Sequence, residues 1–263
     1  MAARHLSGTD WAATTRRPMA DAIEDHDAVW SLLGSVRAVL FDFDGPICDL
    51  FRGASTKDTA TEVKVAAREY WGTLDAEVES CEDSHGILGR LRDMYDSRHR
   101  SLDPRPLELA ERIVTAQEQR AVETAEPASD VAALVDLLSE LGLPLVIVSN
   151  NAEQPIRAYL EQHGLDEKFV GVFGRDPKNA RHMKPHPHCL ERARAFLDVP
   201  FPACLMVGDQ PTDLTAAQKA GTRFLGYTED TLKAAEMKHD GADAVVLSHL
   251  PLVEIAGKLL ANR

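Results

Sequence analysis

The sequence predicts an α/β protein: a parallel β-sheet with helices on both faces, plus an inserted all-helical cap domain. Over residues 128–263, short apolar runs rich in β-prone residues alternate with helical segments, which is the pattern of a parallel sheet. Over residues 49–127, helical periodicity with many charges continues without a strand pattern, as expected of a helical cap inserted into that sheet. We therefore predict a core at residues 34–48 and 128–263, preceded by an extension at residues 1–33.

The first elements follow from composition and apolar runs. Residues 1–33 are polar and mixed in charge, so we expect a partly disordered extension with one helix near Met19–Leu33. Val36–Phe43 reads VRAVLFDF, a nearly continuous apolar run that is typical of a strand buried on both faces. The candidate helices of the cap are Thr59–Trp71, Gly86–Tyr95 and Leu107–Thr124.

Strands and helices then alternate along the chain. The predicted strands are Leu143–Val148, Phe169–Phe173, Cys204–Val207, Phe224–Tyr227 and Ala244–Leu247. The predicted helices are Asp130–Leu141, Pro155–His163, Pro187–Leu197, Leu214–Ala220, Thr231–Lys238 and Leu250–Leu260. Asp130 is the expected N-cap of its helix, while Gly142 and Gly221 are expected to end theirs.

Composition and charge argue against several classes of function. The chain has 263 residues, 44% of them hydrophobic, and a formal net charge of −13. Such an acidic chain repels nucleic-acid phosphates, so we expect no nucleic-acid partner. No stretch reaches the roughly 18 consecutive apolar residues of a membrane helix, and the N-terminus lacks the apolar stretch of a secretory signal, so we expect no membrane association. The four cysteines form no CxxC pair, which predicts reduced thiols and a cytoplasmic location.

Four short polar segments stand out, and three of them directly follow an apolar run. Their polar residues are Asp42, Asp44, Ser149, Asn150, Lys184, Asp209 and Asp213. Because ligands of an open parallel sheet bind outside the carboxyl ends of the strands, we expect these side chains to meet at one rim. Asp42 and Asp44 point to the same side and repel each other unless a cation or a proton lies between them, and Gly45 then lets the chain turn away. This set suits a site that binds a divalent cation together with a phosphate and attacks the phosphate with a carboxylate.

The four segments, in this order, resemble the motifs of the haloacid dehalogenase superfamily, on its phosphatase branch with a small helical cap (phosphoglycolate phosphatase-like). The first motif is matched by Phe41-Asp42-Phe43-Asp44-Gly45, and the other three by Ser149-Asn150, Lys184-Pro185 and Gly208-Asp209-x-x-x-Asp213. The resemblance covers about residues 36–248. It implies a Rossmann-like catalytic core and identifies the insertion with the family's small mobile cap.

The resemblance also implies a role for each residue. It makes Asp42 the nucleophile, which forms an aspartyl phosphate, and Asp44 the acid that protonates the leaving oxygen and then activates water. An acid at position 44 favours phosphate chemistry, because the dehalogenating branch lacks it. The implied ligands of Mg²⁺ are Asp42, the Asp44 backbone carbonyl and Asp209, and the implied phosphate-binding residues are Ser149, Asn150 and Lys184, with Asp213 and Gly45 in supporting positions.

The predicted function is therefore Mg²⁺-dependent hydrolysis of a small phosphorylated metabolite through an aspartyl phosphate. A phosphotransfer isomerase of the β-phosphoglucomutase kind uses the same motifs and stays open, although it asks for a more basic cap than this one. A non-catalytic phosphate-binding protein on the same fold is a third possibility, for which degenerate motifs are expected. Arg52 and Lys57, at the start of the cap, are candidates for holding an anionic tail of the substrate, with an exposed basic pair as the alternative.

Overall fold

The structure is a computed structural model that describes residues 25–52, 55–98 and 101–263. Its strands are β1 (Ala38–Phe41), β2 (Cys48–Asp49), β3 (Glu126–Pro127), β4 (Leu145–Val148), β5 (Phe169–Phe173), β6 (Cys204–Gly208), β7 (Arg223–Tyr227) and β8 (Ala244–Val246). Its helices are α1 (His26–Ser35), α2 (Lys57–Trp71), α3 (Ala76–Glu79), α4 (Ser84–Ser97), α5 (Arg105–Val122), α6 (Val131–Glu140), α7 (Glu153–Gln162), α8 (His188–Leu197), α9 (Pro211–Ala220), α10 (Thr231–His239) and α11 (Leu250–Ala261).

Six strands form one parallel sheet in the order β5-β4-β1-β6-β7-β8. β1 lies inside this sheet, where Leu40 pairs with Val146 on one side and with Met206 on the other. The predicted α/β class is confirmed. The segment after β1, which begins with Asp42, therefore leaves the sheet from an interior strand, at the edge where ligands bind in parallel sheets.

Both faces of the sheet are covered by helices, which explains the continuous apolar run of β1. Val39 and Phe41 belong to one buried cluster with residues of α1, α6, α7 and α11, while Ala38 and Leu40 belong to a second cluster with residues of α8 and α9. Successive side chains of a strand point to opposite faces, so a strand covered on both faces must be apolar at every position.

The helical cap lies between β2 and β3, which pair antiparallel over two residues each. Its helices enclose a small core of their own, which includes Val63, Ile87, Leu91 and Val114. The β2–β3 ribbon spans the predicted boundaries, since Cys48 pairs with Pro127 and Asp49 with Glu126. The exact division of the chain into domains at these positions stays a prediction.

Most predicted elements begin and end within three residues of their observed bounds. The first helix begins later than expected, at His26, and the part predicted before residue 25 lies outside the described residues. Asp130 precedes α6 as predicted, but it has a left-handed backbone (φ 61°) and its side chain makes no capping hydrogen bond. Asp130 is thus the N-cap residue by position, but it does not cap the helix through its side chain, because an N-cap side chain reaches the first turn from extended backbone. In the described part of the chain, no helix has both the length and the apolar character needed to cross a bilayer.

Candidate active site

Lys184 lies between two carboxylates at the carboxyl end of the sheet. Its Nζ is 2.9 Å from Oδ1 of Asp42 and 2.6 Å from Oδ1 of Asp213, and it also donates to the carbonyl oxygen of Val148 at 3.2 Å. Asp42 extends the hydrogen bonding between β1 and β6 by one residue, since its N–H donates to the Val207 carbonyl at 2.8 Å. Three segments that are far apart in the sequence thus meet around one ammonium group.

Burial is the largest single influence on the pKa values of Asp42 and Lys184. Loss of hydration and the nearby Asp213 raise the pKa of Asp42 to about 8, although Lys184 acts in the opposite direction. Burial disfavours the charged form of Lys184 as well, but Asp213 and Asp42 outweigh it, and the pKa of Lys184 is raised. Lys184 therefore stays charged, and any added positive charge beside Asp42 would favour its ionised, nucleophilic form.

The segment after β4 holds the lysine loop in place. The side-chain oxygen of Asn150 accepts from the N–H of Lys184 at 2.7 Å, and its amide nitrogen donates to the Lys184 carbonyl at 3.1 Å. The Ser149 hydroxyl donates to Asn151 Oδ1 at 3.1 Å. The structure thus brings Ser149 and Asn150 to the rim beside Lys184, and the Asn150 side-chain amide is bound to the lysine backbone.

Asp213 organises the fourth segment through its second carboxylate oxygen. Oδ2 accepts from the N–H groups of Asp209 at 3.1 Å and Gln210 at 3.0 Å, as part of a capping box that begins α9. The same side chain therefore shapes the turn that carries Asp209 and, through Oδ1, pairs with Lys184. The supporting role of Asp213 stays a prediction.

Two glycines allow the acidic segments to approach each other. Gly45 has a φ of +101°, and a Cβ built there would lie 2.6 Å from Cγ of Asp209. A Cβ at Gly208 would lie 2.6 Å from Cβ of Asp213. Contacts this short are impossible for a real side chain, so glycine is required at both positions for this arrangement.

The carboxylates at the rim fit a hard divalent cation. Side-chain oxygens of Asp42, Asp209 and Asp213 all lie within 4.8 Å of one another. Oδ1 of Asp209 is buried without a hydrogen-bond partner among the described residues, whereas its Oδ2 accepts from Lys233 at 3.2 Å. The carboxylate of Asp213 already pairs with Lys184 and accepts hydrogen bonds from two backbone N–H groups. Asp42 and Asp209 are thus the carboxylates left for a metal, and an orphaned buried oxygen is what such an ion would satisfy.

Asp44 has the properties of a proton-transfer group. Burial raises its pKa to about 6, although the Leu50 N–H, which donates to Asp44 Oδ1 at 2.9 Å, acts in the opposite direction. A carboxyl with a pKa near the working pH can donate a proton in one step and accept one in the next.

These side chains share one cavity of about 460 Å³. From the core, it is lined by Asp42, Asp44, Ser149, Asn150, Lys184, Asp209 and Asp213, which include all the residues of the four motifs with predicted catalytic, phosphate or metal roles. From the cap, it is lined by Phe51, Thr56, Asp83, Ser84, His85, Gly86 and Gly89. The cap thus contributes a wall to the space above the carboxylates.

The model of the haloacid dehalogenase-like hydrolases matches residues 36–221, which span β1 to the end of α9. The chain belongs to the haloacid dehalogenase-like hydrolases. It is therefore an enzyme, and the matched range contains all four motifs described above.

Named relatives agree with this assignment, and a solved structure has a similar fold. The chain is 34% identical over 202 residues to a phosphoglycolate phosphatase of Neisseria gonorrhoeae, which covers 73% of this chain and 80% of that protein. The chain is also 36% identical over 101 residues to a pyrophosphatase PpaX of Bacillus thuringiensis, a match that covers 38% of this chain and 46% of that protein. The fold is similar to that of CbbY from Rhodobacter sphaeroides in complex with phosphate, with a TM-score of 0.57, 22% identity and coverage of 84% of this chain and 96% of that one.

The two basic residues predicted to touch the substrate do not line the cavity of this hydrolase. Arg52 points to the end of α5, where it donates to Thr124 O at 3.4 Å and lies 3.6 Å from Glu126. Lys57 pairs with Glu82 at 2.6 Å on the surface. The expectation that they face the catalytic rim is wrong, because neighbouring acids of the cap hold both side chains in solvent.

Replacing Arg52 with alanine is therefore expected to change kcat and KM by less than about twofold, because an exposed ion pair contributes little. Steady-state kinetics on a phosphate monoester with an anionic tail and on a simple aryl phosphate would check this. If KM rose only for the monoester with the anionic tail, Arg52 would contribute to substrate specificity after all.

Three further residues near the site were missed by the sequence-based prediction. His85 lines the cavity, and its Nε2 lies 2.8 Å from Oε1 of Glu118, which in turn pairs with Arg175 at 2.7 Å. Glu118 lies on the buried stripe of α5, four residues after Val114 and four before Val122. A lone glutamate on an apolar stripe is the signal that would have found it.

Proposed function

We propose that this hydrolase is a Mg²⁺-dependent phosphatase that cleaves a small phosphate monoester through an aspartyl phosphate on Asp42. The observation that carries the proposal is the buried Asp42–Lys184–Asp213 group beside the unpartnered oxygen of Asp209. The phosphatase names of the relatives support the same reaction.

Asp42 is the proposed nucleophile. Its Oδ1 accepts from the Phe43 N–H at 2.7 Å and from Lys184 at 2.9 Å, so we assign the attack on phosphorus to Oδ2. The bond from Oδ2 to phosphorus forms while the ester bond to the leaving oxygen breaks. Lys184 offsets the negative charge that builds up on the transferred group.

Asp44 is the proposed acid and base. In the first step its carboxyl proton passes to the leaving oxygen. In the second its carboxylate takes a proton from the water that attacks phosphorus, while the bond from phosphorus to Oδ2 of Asp42 breaks and inorganic phosphate is released. A pKa of about 6 lets one group serve both steps near neutral pH. Ser149 and Asn150 complete the cradle for the phosphoryl oxygens.

Mg²⁺ is the proposed metal because the donor set is made of oxygens alone. The residues that would hold it are Asp42 and Asp209, through their carboxylates, and Asp44 through its backbone carbonyl. When bound, the ion supplies positive charge that favours ionised Asp42 and stabilises the charge of the transferred phosphoryl group.

Hydrolysis is better supported than phosphotransfer between two positions of a sugar. An isomerase must hold a second phosphate, which calls for several basic side chains. Among the described residues that line the cavity, only Lys184 and His85 can carry a positive charge, and Lys184 already pairs with two carboxylates. We further propose that residues 49–127 act as the cap of this site and that the enzyme works in the cytoplasm, in keeping with four free cysteines.

The direct test is a screen of phosphorylated metabolites with Mg²⁺, which measures released inorganic phosphate. The proposal expects turnover of at least one small monoester. A purified, folded protein that releases no phosphate from any monoester, with Mg²⁺ or another divalent ion, would contradict it.

Removal of the metal is expected to abolish activity. Excess EDTA should lower kcat by about 10³-fold, since the ion supplies several kcal/mol of transition-state stabilisation, and added Mg²⁺ should restore it. Asp209→Ala should weaken Mg²⁺ binding in calorimetry. The surface variant Asp136→Asn is the control, because Asp136 pairs with Lys168 away from the site. Full turnover in EDTA would exclude the metal.

A further inference from the structure

A buried ionic cluster joins the helical cap to the core directly behind the cavity. Glu118 of α5 and Arg175, which follows β5, have fully buried side chains, and Nη1 of Arg175 lies 2.7 Å from Oε1 of Glu118. Arg175 also pairs with Glu111 of α5 at 2.8 Å. The desolvation penalty of a buried pair offsets most of its attraction, so stability alone is a weak reason for such a cluster.

Glu118 binds the loop between β4 and α7, which carries the proposed phosphate-binding residues. Its Oε2 accepts from the Ala152 N–H at 3.0 Å, and its Oε1 accepts from the Asn151 side-chain amide at 3.3 Å. Asn151 in turn accepts the hydroxyl hydrogen bond of Ser149 at 3.1 Å. A displacement of the Glu118 carboxylate would therefore reach the Ser149 hydroxyl through one side chain, that of Asn151.

Arg175 holds the same loop from a second direction. Its Nη1 donates to the Asn150 carbonyl at 2.7 Å, and its backbone N–H donates to the Asn151 carbonyl at 2.9 Å. The loop at residues 150–152 is thus fixed to one residue of the cap and one residue of the core, and these two residues are bound to each other.

Glu118 also holds a cap residue that faces the cavity. Oε1 lies 2.8 Å from Nε2 of His85, at the beginning of α4. Burial favours the neutral form of Glu118, but the bonds from His85 and Arg175 outweigh it and lower its pKa to about 2. The carboxylate is therefore charged, and it keeps a hydrogen on Nε2 of His85.

His85 is placed to meet the part of a substrate that lies beyond the phosphoryl group. It belongs to the cap wall of the cavity, and apart from Lys184 no other described residue of the lining can carry a positive charge. The rest of the lining supplies several carboxylates, which repel an anionic tail. Because Nε2 donates to Glu118, His85 can hold an anion only in its doubly protonated form, in which Nδ1 also carries a hydrogen. One such group in a cavity of about 460 Å³ suits a short tail with a single anionic group.

We propose that Glu118 is a positioning residue, whose one carboxylate sets the phosphate-binding loop and His85 at the same time, and that His85 selects phosphate monoesters with a short anionic tail. This inference rests on the proposed phosphatase function and names its substrate class. It places the selection on His85, in contrast to Arg52 and Lys57.

The test of positioning compares Glu118→Gln with Glu111→Gln. Both changes remove one carboxylate from Arg175, but the described contacts of Glu111 are to Arg175 and Thr115, and none reaches residues 149–152 or His85. With p-nitrophenyl phosphate, Glu118→Gln is expected to lower kcat about 10²-fold, because a small misplacement of the phosphate-binding groups costs that much. Glu111→Gln should keep kcat within about threefold. Equal kcat values in the two variants would overturn the positioning role.

The test of selection uses His85→Gln with 2-phosphoglycolate and p-nitrophenyl phosphate. We expect KM for 2-phosphoglycolate to rise about tenfold, as for the loss of one hydrogen bond to a charged group, with less than a twofold change for the aryl phosphate. Glu118→Gln releases His85 and is itself expected to raise KM for 2-phosphoglycolate. In the double variant the two rises in KM should not add, since both act through His85. Equal effects of His85→Gln on both substrates would overturn the selection.

A third measurement separates this inference from the proposed function. Hydrogen exchange of the Ala152 N–H should quicken at least tenfold in Glu118→Gln and stay unchanged in Glu111→Gln, whatever the protein hydrolyses. If the wild type releases no phosphate, the proposed phosphatase function is contradicted, but the exchange rate of the Ala152 N–H still tests the positioning role of Glu118. An unchanged exchange rate in Glu118→Gln would overturn that positioning role. If Glu118→Gln does not fold, Arg175→Lys replaces it in this test. Lysine keeps the buried positive charge but cannot bind Glu118 and the Asn150 carbonyl together as the guanidinium does, so we expect the same loss of kcat.

Discussion

Asp42→Asn is expected to lower kcat by about 10⁴-fold or more, because removal of a nucleophile leaves only binding and charge stabilisation. The amide nitrogen and oxygen of asparagine cannot attack phosphorus to give an acyl phosphate. The change is nearly isosteric, and burial already disfavours the charged form of Asp42, so we expect the variant to fold. Phosphate release under saturating substrate and Mg²⁺ is the measurement.

An acid quench during turnover gives the second readout of this experiment. Intact-protein mass spectrometry should detect a phosphorylated wild-type chain and no phosphorylated Asp42→Asn. Asp136→Asn is the matched control, because it makes the same chemical change in an exposed Lys–Asp pair. If Asp42→Asn kept more than about a tenth of the activity, the nucleophile would have to be another residue.

The fold was predictable because its signals are local. The buried strands β1, β4 and β6 have no exposed residue, so each reads as an uninterrupted apolar run. The turn α3 and the two-residue strands β2 and β3 were missed, since elements of two to four residues are too short to show a period. α9 begins at Pro211, three residues before the predicted start, because proline is favoured in the first turn.

Three of the four motifs were predictable because each directly follows a strand of the same sheet, and parallel strands end at the same edge. Lys184 does not directly follow a strand, so its place rested on the order of the motifs. The contacts among Glu118, His85 and Arg175 were not predictable, since they join positions 33 and 57 residues apart and depend on how the cap packs. Arg52 was misplaced for a related reason. Closeness to a strand end in sequence does not fix the direction of a side chain, and Arg52 has a left-handed backbone (φ 50°) that leads it to Glu126.

Lys184 combines a structural and a chemical role that two variants can separate. It is the cation that lies between Asp42 and Asp213, and its side chain is 1% exposed. Lys184→Met keeps the length of the side chain but leaves two buried carboxylates without their partner. Removal of one member of a buried ionic group costs about 3–5 kcal/mol, so we expect the free energy of unfolding to fall by that amount in urea titrations.

The same variant should lose at least about 10²-fold in kcat, because the charge of the transferred phosphoryl group is no longer offset. The double variant Lys184→Met/Asp213→Asn removes one of the stranded charges, so part of the lost stability should return while kcat stays low. Lys168→Met, which breaks the exposed pair with Asp136, is the control and should change neither quantity appreciably. If the double variant recovered kcat together with stability, Lys184 would act on the fold alone, and the charge that stabilises the reacting phosphoryl group would have to come from elsewhere in the site.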